Sequence, residues 1–292
     1  MTDLNNENKI PVLLLVGAGH SGSTLLDLIF DSHSQIVGVG ELAQYQRLKK
    51  EDWLCGCGKK LKECEFWQKV FHDVDDNKLR RFCQKTIDFF LKRNYFYADG
   101  QGKFNINNYI ELTEKVYRNI LANSGKKIVF DSSKNPVRAE ILLGSSKLNI
   151  ILLHLVRDGR GVAYSHIKRG KPWFYFMKRW AMNNIMVEMV KLRNRKAKSI
   201  FIYYDDFAKE PEKVIKYVLR ELGLSFEPAM LNFREKVHHL SAGNYPLMFL
   251  KKDNEIKPDR EWEKKLPLKD KVLFNLLFGW LNIFYKIKPK KY

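Results

Sequence analysis

Acidic residues are in short supply in this chain: 33 Asp and Glu stand against 52 Lys and Arg, a formal net charge of +19 over 292 residues. Strongly positive surface regions follow, and they suit a polyanionic nucleotide, an acidic substrate, nucleic acid or an anionic membrane face; charge by itself does not choose among these. Long hydrophobic runs are also missing. The longest apolar stretch, 272–287, is interrupted by Asn275, Asn282 and Lys286 and is short for a membrane span. The first residues, Met1-Thr2-Asp3-Leu4-Asn5-Asn6-Glu7-Asn8, have no basic segment ahead of an apolar one, which predicts no signal peptide and a cytoplasmic location. Internal repeats and low-complexity linkers are absent. With no clear place to cut it, the chain reads as one domain over 1–292, large enough at 45% apolar residues to bury a sizeable core.

Only four cysteines occur, and three are close together: Cys55 and Cys57 flank Gly56, Cys64 follows, and Cys83 lies on an expected helix. Three readings stay open for the group: free thiols in a reducing compartment, a local disulfide, or a zinc site with His72 or Cys83 as fourth ligand. The spacing matches none of the common zinc patterns, and no metal is expected.

What is there begins with a loop. Gly17-Ala18-Gly19-His20-Ser21-Gly22-Ser23-Thr24 follows an apolar run and leads straight into Leu25-Leu26-Asp27-Leu28-Ile29-Phe30. Glycines let the backbone turn so that successive N–H groups point at one anion, and the following helix adds its positive end. The spacing fits the nucleotide-triphosphatase loop except that Ser23 stands where the lysine should be. Such a loop is poorly equipped for a γ-phosphate, which points away from ATP hydrolysis, yet it can cradle a smaller or differently charged group.

Short apolar runs rich in β-branched residues recur between longer amphipathic segments, the rhythm of an α/β fold. Strands are predicted at 12–16, 35–39, 127–130, 150–155 and 200–203, and helices at 172–196 and 211–222. The expected architecture is a P-loop-containing three-layer α/β fold with a mostly parallel central sheet and a helical insertion at about 44–124. Over the carboxyl edge of the sheet, where ligands collect in open α/β folds, that insertion would be a substrate-selecting cap; away from it, a helical buttress. A basic, apolar segment at about 267–292 ends the chain.

A second informative stretch is Leu155-Val156-Arg157-Asp158-Gly159-Arg160-Gly161-Val162-Ala163-Tyr164-Ser165. A buried strand delivers Arg157 at its carboxyl end, and a helix beginning near Asp158 carries Ser165 about two turns on. Arginine supplies a planar, permanently charged fork for a phosphate and serine a further donor; alternatively Arg157 is a structural ion-pair partner. Together with the glycine loop it suggests two phosphate sites on one sheet edge.

These residues resemble the two cofactor signatures of sulfotransferases that use 3′-phosphoadenosine-5′-phosphosulfate. The likeness rests on Ser21-Gly22-Ser23-Thr24 with Leu25-Leu26, and on Arg157 with Ser165. It continues through Glu41, through Asp131-Ser132-Ser133-Lys134-Asn135-Pro136 and through Tyr203-Tyr204-Asp205-Asp206-Phe207. The run Gly-His-Ser-Gly-Ser-Thr-Leu-Leu, the Gly-Glu after the second strand and the Cys-x-Cys-Gly segment are closest to bacterial sulfotransferases, and tyrosylprotein sulfotransferases share much of the plan. The resemblance implies that Gly19, His20, Ser21, Gly22, Ser23 and Thr24 hold the 5′-phosphosulfate. Arg157, Ser165 and Arg169 would hold the 3′-phosphate. Tyr204 would lie near the nucleotide, and Ser241, Gly243 and Asn244, with Lys251 or Lys252, would close over it. Glu41 takes the place of a carboxylate general base, or is a helix N-terminal charge. Lys134 resembles the lysine on the leaving group, or is a surface lysine. One departure is His20, where many members carry Arg or Lys; either its imidazole or Lys134 would then supply charge to the transferred group.

The reading is an enzyme that moves a sulfuryl group from the phosphosulfate donor to a hydroxyl or amine, with no metal required. A nucleotide-dependent kinase and a non-catalytic basic module for nucleic acid or anionic membrane are the alternatives; no nucleic-acid partner is expected. The acceptor would be a small molecule, carbohydrate, lipid or peptide, and the basic C-terminus permits peripheral membrane contact. Trp173, Phe174, Tyr175 and Phe176 line an acceptor site or pack in the core. His154, inside an apolar strand, reads as a core histidine, whereas His238 and His239 are alternative bases.

Overall fold

The computed structural model describes residues 9–75, 106–251 and 253–292; Cys83, Lys252 and the middle of the insertion lie outside the described residues. Five strands appear where the apolar runs predict them: β1 (Ile10–Gly17), β2 (Ile36–Gly40), β3 (Ile128–Lys134), β4 (Leu148–Val156) and β5 (Ser199–Tyr203). They form one sheet in the order β2-β3-β1-β4-β5, and each neighbouring pair is parallel. Burial on both faces explains why these strands read as continuous apolar runs rather than alternating ones. In β1, Val12, Leu14 and Val16 enter one core and Leu13 and Leu15 the other.

On the second of these faces lie α1 (Ser23–Asp31), α8 (Tyr204–Lys209) and α9 (Pro211–Glu221), which bury Leu26, Ile29, Phe30, Phe207, Val214 and Val218. The first face carries the insertion helices α2 (Tyr45–Lys50), α3 (Glu65–Val70) and α4 (Ile106–Ser124), with α5 (Pro136–Leu142) and part of α7 (Trp173–Arg193). Between α5 and α7, α6 (Gly159–Ile167) follows β4; α10 (Glu261–Lys265) and α11 (Leu268–Ile287) complete the chain.

Local chemistry fixes the helix starts. Asn135 accepts from the Val137 and Arg138 amides while Pro136 takes the first helical position of α5, and the Asp158 carboxylate accepts from the Arg160 amide at the head of α6. Strand β3 runs farther than its apolar residues predict, through Asp131-Ser132-Ser133 to Lys134. The polar extension is tolerated because Asp131 meets Arg138 at 2.9 Å, with both side chains fully buried, and accepts from Tyr117 Oη at 2.7 Å.

The described part of the insertion both packs on the sheet and borders the cavity. Trp67, Val70, Tyr117 and Ile120 buttress the sheet, whereas Gln44, Arg47 and Trp53 reach the carboxyl edge. It is not helical throughout: 51–64 holds only an isolated antiparallel bridge, Leu54 with Lys60, and a short 3₁₀ turn. No helix of the described residues is long and apolar enough to cross a membrane. Helix α11 buries Phe274, Leu281 and Tyr285 beside Val156 and Trp180. Its Asn282 donates to Asp158 Oδ2 at 2.9 Å and accepts from the Gly159 amide, so the C-terminus braces the turn that carries Arg157.

Candidate active site

Strand β1 leaves toward β2 on one side of the sheet and β4 toward β5 on the other, so the strand order reverses between them. A crevice opens at such a switch point, beyond the carboxyl ends of the two strands. Here it is a cavity of about 930 Å³.

The β1 loop forms one wall. His20 adopts a left-handed backbone conformation (φ 62°), and Gly22 (φ 97°) caps α1 in the same region. A Cβ at Gly22 would stand 2.9 Å from the Tyr204 ring, so only glycine lets the loop approach that ring. The first amides of α1, at Ser23 and Thr24, have no intrahelical carbonyl ahead of them and lie at the cavity wall. Across the crevice Lys134 ends β3, also left-handed (φ 60°). Its Nζ bonds the Ser132 carbonyl at 2.9 Å and forms an ion pair with Glu41 Oε1 at 2.8 Å. Glu41 also accepts from Gln44 Nε2. A non-glycine residue held left-handed costs of order 1–3 kcal/mol, and two such residues, His20 and Lys134, line this one cavity.

The β4 turn forms the other wall. Arg157 lies over the Tyr204 ring, 4.7 Å from its centroid, and donates to the His20 carbonyl at 3.1 Å. Its second nitrogen meets the Asp259 carboxylate at 3.0 Å and the Asp259 carbonyl at 2.7 Å. One turn beyond Ser165, Arg169 donates to Nδ1 of His20 at 2.7 Å. That bond requires a ring nitrogen with a free lone pair. Burial, reinforced by the neighbouring His166, Arg169, Lys134 and Arg157, pulls His20 down to about 3. Its imidazole is therefore neutral near pH 7, and the permanent positive charge at this point belongs to Lys134 and the arginines. Six basic side chains, Arg47, Lys134, Arg157, Lys168, Arg169 and Arg179, line the cavity against two carboxylates, Glu41 and Asp259.

Most of the residues singled out from the sequence meet here. Gly19, His20, Gly22, Ser23, Thr24, Glu41, Lys134, Arg157, Ser165, Arg169, Tyr204, Gly243 and Asn244 all line the cavity. Two do not. Ser21 is buried, and its Oγ meets no hydrogen-bond partner among the described residues. Ser241 is buried as well and clips the closing segment to β2 through the Val39 carbonyl at 2.7 Å. Three residues on, the Asn244 amide donates to Thr24 Oγ1 at 2.9 Å, bringing the closing segment against the loop. Lys251 lies away from the cavity, paired with Asp253 at 3.1 Å.

The histidines sort differently. His154 is a core residue, fully buried with Nε2 3.0 Å from Asn184 Oδ1. Neither alternative base reaches the cavity: His238 is buried between Asp31 and the Phe233 carbonyl, at 2.6 Å from each, and His239 lies against the cysteines. Of the aromatic run at the start of α7, only Phe176 lines the site; Phe174 and Tyr175 are exposed and Trp173 packs against the core around Trp180.

Several lining residues lie outside the family signatures. Phe176, Arg179, Trp180 and Asn183 present one face of α7, and their i, i+3, i+4, i+7 spacing is a signal that a sequence can carry. His166, stacked on Phe176 at 3.5 Å, is one residue beyond Ser165. Asp259 and Trp53 have no local signal, being brought in from irregular segments by the fold.

Comparison with known proteins adds to this geometry. The chain superposes on the sulfotransferase domain from the Synechococcus PCC 7002 olefin synthase with a TM-score of 0.56 at 16% identity, covering 93% of this chain and 95% of that one. It superposes on the sulfotransferase domain from the curacin biosynthetic pathway with a TM-score of 0.55 at 17% identity, covering 94% and 98%. Likeness at this identity is likeness of fold. No curated protein sequence gives a significant match. The model of the sulfotransferase family matches residues 11–228, which include β2 to β5, all of β1 but its first residue, and Glu41, Lys134, Arg157 and Ser165, and the chain belongs to that family.

Proposed function

We propose that this sulfotransferase takes its sulfuryl group from 3′-phosphoadenosine-5′-phosphosulfate and passes it to a hydroxyl or amine, with Glu41 as general base. One observation carries the reading: the Glu41–Lys134 ion pair lies in the same cavity as two separate anion stations, the 19–24 loop with the head of α1, and Arg157 with Ser165 and Arg169. When bound, the donor supplies an electrophilic sulfur whose leaving group is a phosphate. The chain's part is to hold that phosphate against the α1 amides, with Lys134 Nζ on the oxygen where charge develops. Arg157, Ser165 and Arg169 would fix the far phosphate and so orient the sulfur. Glu41 accepts the acceptor's proton as the new bond to sulfur forms and the sulfur–oxygen bond to phosphate breaks. Lys134 holds the Glu41 carboxylate in place at 2.8 Å and would be drawn toward the leaving oxygen as it gains charge.

The test uses the full chain with radiolabelled donor and lysate fractions separated by polarity. Transfer of label by the wild type is expected. Glu41→Gln should lower turnover about 10²–10⁴-fold while leaving affinity for adenosine 3′,5′-bisphosphate nearly intact. Undiminished turnover in Glu41→Gln removes its role as base, and failure of the wild type to bind the bisphosphate removes the donor assignment.

A lipid-side acceptor is favoured by a specific feature of α11. Leu276, Trp280, Ile283 and Ile287 recur at three- and four-residue spacing and are all well exposed, with Lys269 and Lys286 exposed near the helix ends. An apolar stripe flanked by lysines fits the surface of an anionic bilayer. Sedimentation with phosphatidylserine-containing vesicles but not with phosphatidylcholine alone is expected, and Trp280→Ala with Ile283→Ala should abolish it. Equal recovery with both vesicles, or self-association through α11, would remove this reading.

A further inference from the structure

Away from the cavity, Cys55, Cys57, Cys64 and His239 gather from three parts of the chain, and their ligand atoms all lie within 4.8 Å of one another. Cys55 and Cys57 belong to a tight turn in which the Gly58 amide returns to the Cys55 carbonyl at 2.8 Å and the Cys55 amide bonds the Lys59 carbonyl at 2.9 Å. Cys64 immediately precedes α3. His239 arrives from the closing segment, 175 residues beyond Cys64. That approach depends on Gly56, whose amide bonds the Leu240 carbonyl at 3.0 Å and where a Cβ would meet the His238 carbonyl oxygen at 2.7 Å.

The distances select among the three readings left open by the sequence. The sulfurs of Cys57 and Cys64 are 3.7 Å apart, far beyond the disulfide bond of about 2.05 Å. Nδ1 of His239 is 3.3 Å from the Cys64 sulfur and 4.0 Å from that of Cys55. A tetrahedral zinc with Zn–S of about 2.3 Å and Zn–N of about 2.0–2.1 Å has edges of about 3.8 Å between sulfurs and about 3.5 Å from sulfur to nitrogen. The three observed separations fall within about 0.5 Å of those edges. Of the fourth ligands weighed from the sequence, His72 is exposed and turned to the Lys69 carbonyl, and Cys83 lies outside the described residues; among the described residues the fourth group is His239.

We propose that Cys55, Cys57, Cys64 and His239 bind one zinc ion as a structural Cys₃His site. On binding, three thiols release their protons to solvent and the histidine offers the neutral lone pair of Nδ1, giving the site a net charge of −1. Four protein ligands leave no open position, and none of the four lines the cavity, so the ion is a staple and takes no part in sulfuryl transfer. It fastens the closing segment to the turn that follows Trp53. His239 is two residues from Ser241 and five from Asn244, which bonds Thr24 in the loop, and Trp53 lines the cavity. The segment 51–64, with little regular structure of its own, acquires in this way the cross-link its shape requires. Cys55 and Cys64 are buried beside Leu61 and Trp67, and Phe66 stacks on the His239 ring at 5.0 Å, which limits the access of water to that side of the site.

The test reads metal content, independent of any sulfotransfer. Full-length protein made in zinc-supplemented medium and purified without chelator should carry about one zinc per chain by mass spectrometry. Exchange with cobalt should give the visible absorption of a tetrahedral cobalt thiolate. Cys57→Ser and His239→Ala should lose the metal, His239→Cys should keep it, and His72→Ala should be without effect. Should a cysteine variant be insoluble, alkylation of the wild type decides: a chelator should speed the labelling of Cys55, Cys57 and Cys64. Protein free of zinc and without the cobalt thiolate spectrum, labelling indifferent to chelator, or a Cys57–Cys64 disulfide in anaerobically purified protein would each overturn the proposal.

Discussion

Two arginine–aspartate pairs sit at the ends of neighbouring structures and have opposite surroundings. Arg138 and Asp131 are wholly buried; Tyr109 and Tyr117 accept from the two Nη atoms of Arg138, and Tyr117 and Ser133 donate to the carboxylate. Arg157 is equally sunk, but its partner Asp259 is 39% exposed and comes from an irregular segment at the cavity rim. The first pair is closed: every surrounding group is fixed, and no ligand can replace the carboxylate. The second is open. Asp259 occupies the arginine where a phosphate would sit, and a carboxylate this exposed is weakly held. Both cations are buried, and exposure of the anion separates a pair that is closed from one that a ligand could open.

Breaking the closed pair should have the largest effect. Asp131→Ala leaves Arg138 buried without its counter-charge, which costs about 3–5 kcal/mol of stability, read as a fall in the denaturant midpoint. It should also loosen the site, because Asp131 holds Ser133, whose Oγ accepts from the Ala43 amide beside Glu41. A loss below about 1 kcal/mol would mean that the two tyrosines alone can carry Arg138.

The open pair should respond in binding. Arg157→Ala is expected to weaken adenosine 3′,5′-bisphosphate by about 1.5–3 kcal/mol, the range for hydrogen bonds to charged groups, with little change in thermal stability. Asp259→Asn should act in the opposite direction and tighten binding by roughly two- to fivefold, since a competing carboxylate of surface-pair strength has been removed. Titration calorimetry on both variants checks the pair together. If Asp259→Asn weakens the ligand, Asp259 belongs to the bound site and the distinction between closed and open pairs collapses.

The same contrast marks what the sequence makes legible. The five strands, the glycine loop and the turn after β4 depend on local matters, namely runs of apolar residues, caps and backbone freedom, and the sequence predicts all of them. Arg157 and Ser165 fall on one wall because the turn after β4 leads directly into α6, which carries Ser165. Asp259 and His239 are different. Each is delivered across the chain by an irregular segment, with no periodicity to announce it, and their partners lie 102 and 175 residues away. For the cysteines, the sequence shows three thiols close together but carries no sign that His239 meets them. The question of His20 or Lys134 was equally closed to the sequence, because it turns on burial and on which cations crowd the ring.

That question supplies the smallest expected effect. Burial and four surrounding basic groups hold His20 at about 3 against 6.5 in an unfolded chain. Between these values the unfolded chain binds a proton that the folded one does not, so stability falls as pH drops through the window from 6.5 toward 3. His166, lowered to about 4 by its burial and by Arg169, Arg179 and Lys171, acts in the same sense. His20→Asn, which suits the left-handed backbone, should remove one of these two contributions and flatten the acid limb of the thermal-denaturation profile. Bisphosphate affinity should show no imidazole titration near 6.5 in the wild type. Phosphate groups themselves titrate near pH 6, so the comparison of wild type with His20→Asn carries the result. If a step near 6.5 is present in the wild type and absent from His20→Asn, the bound anion has recharged the ring, and His20 joins Lys134 and Arg157 as a cation of the open site.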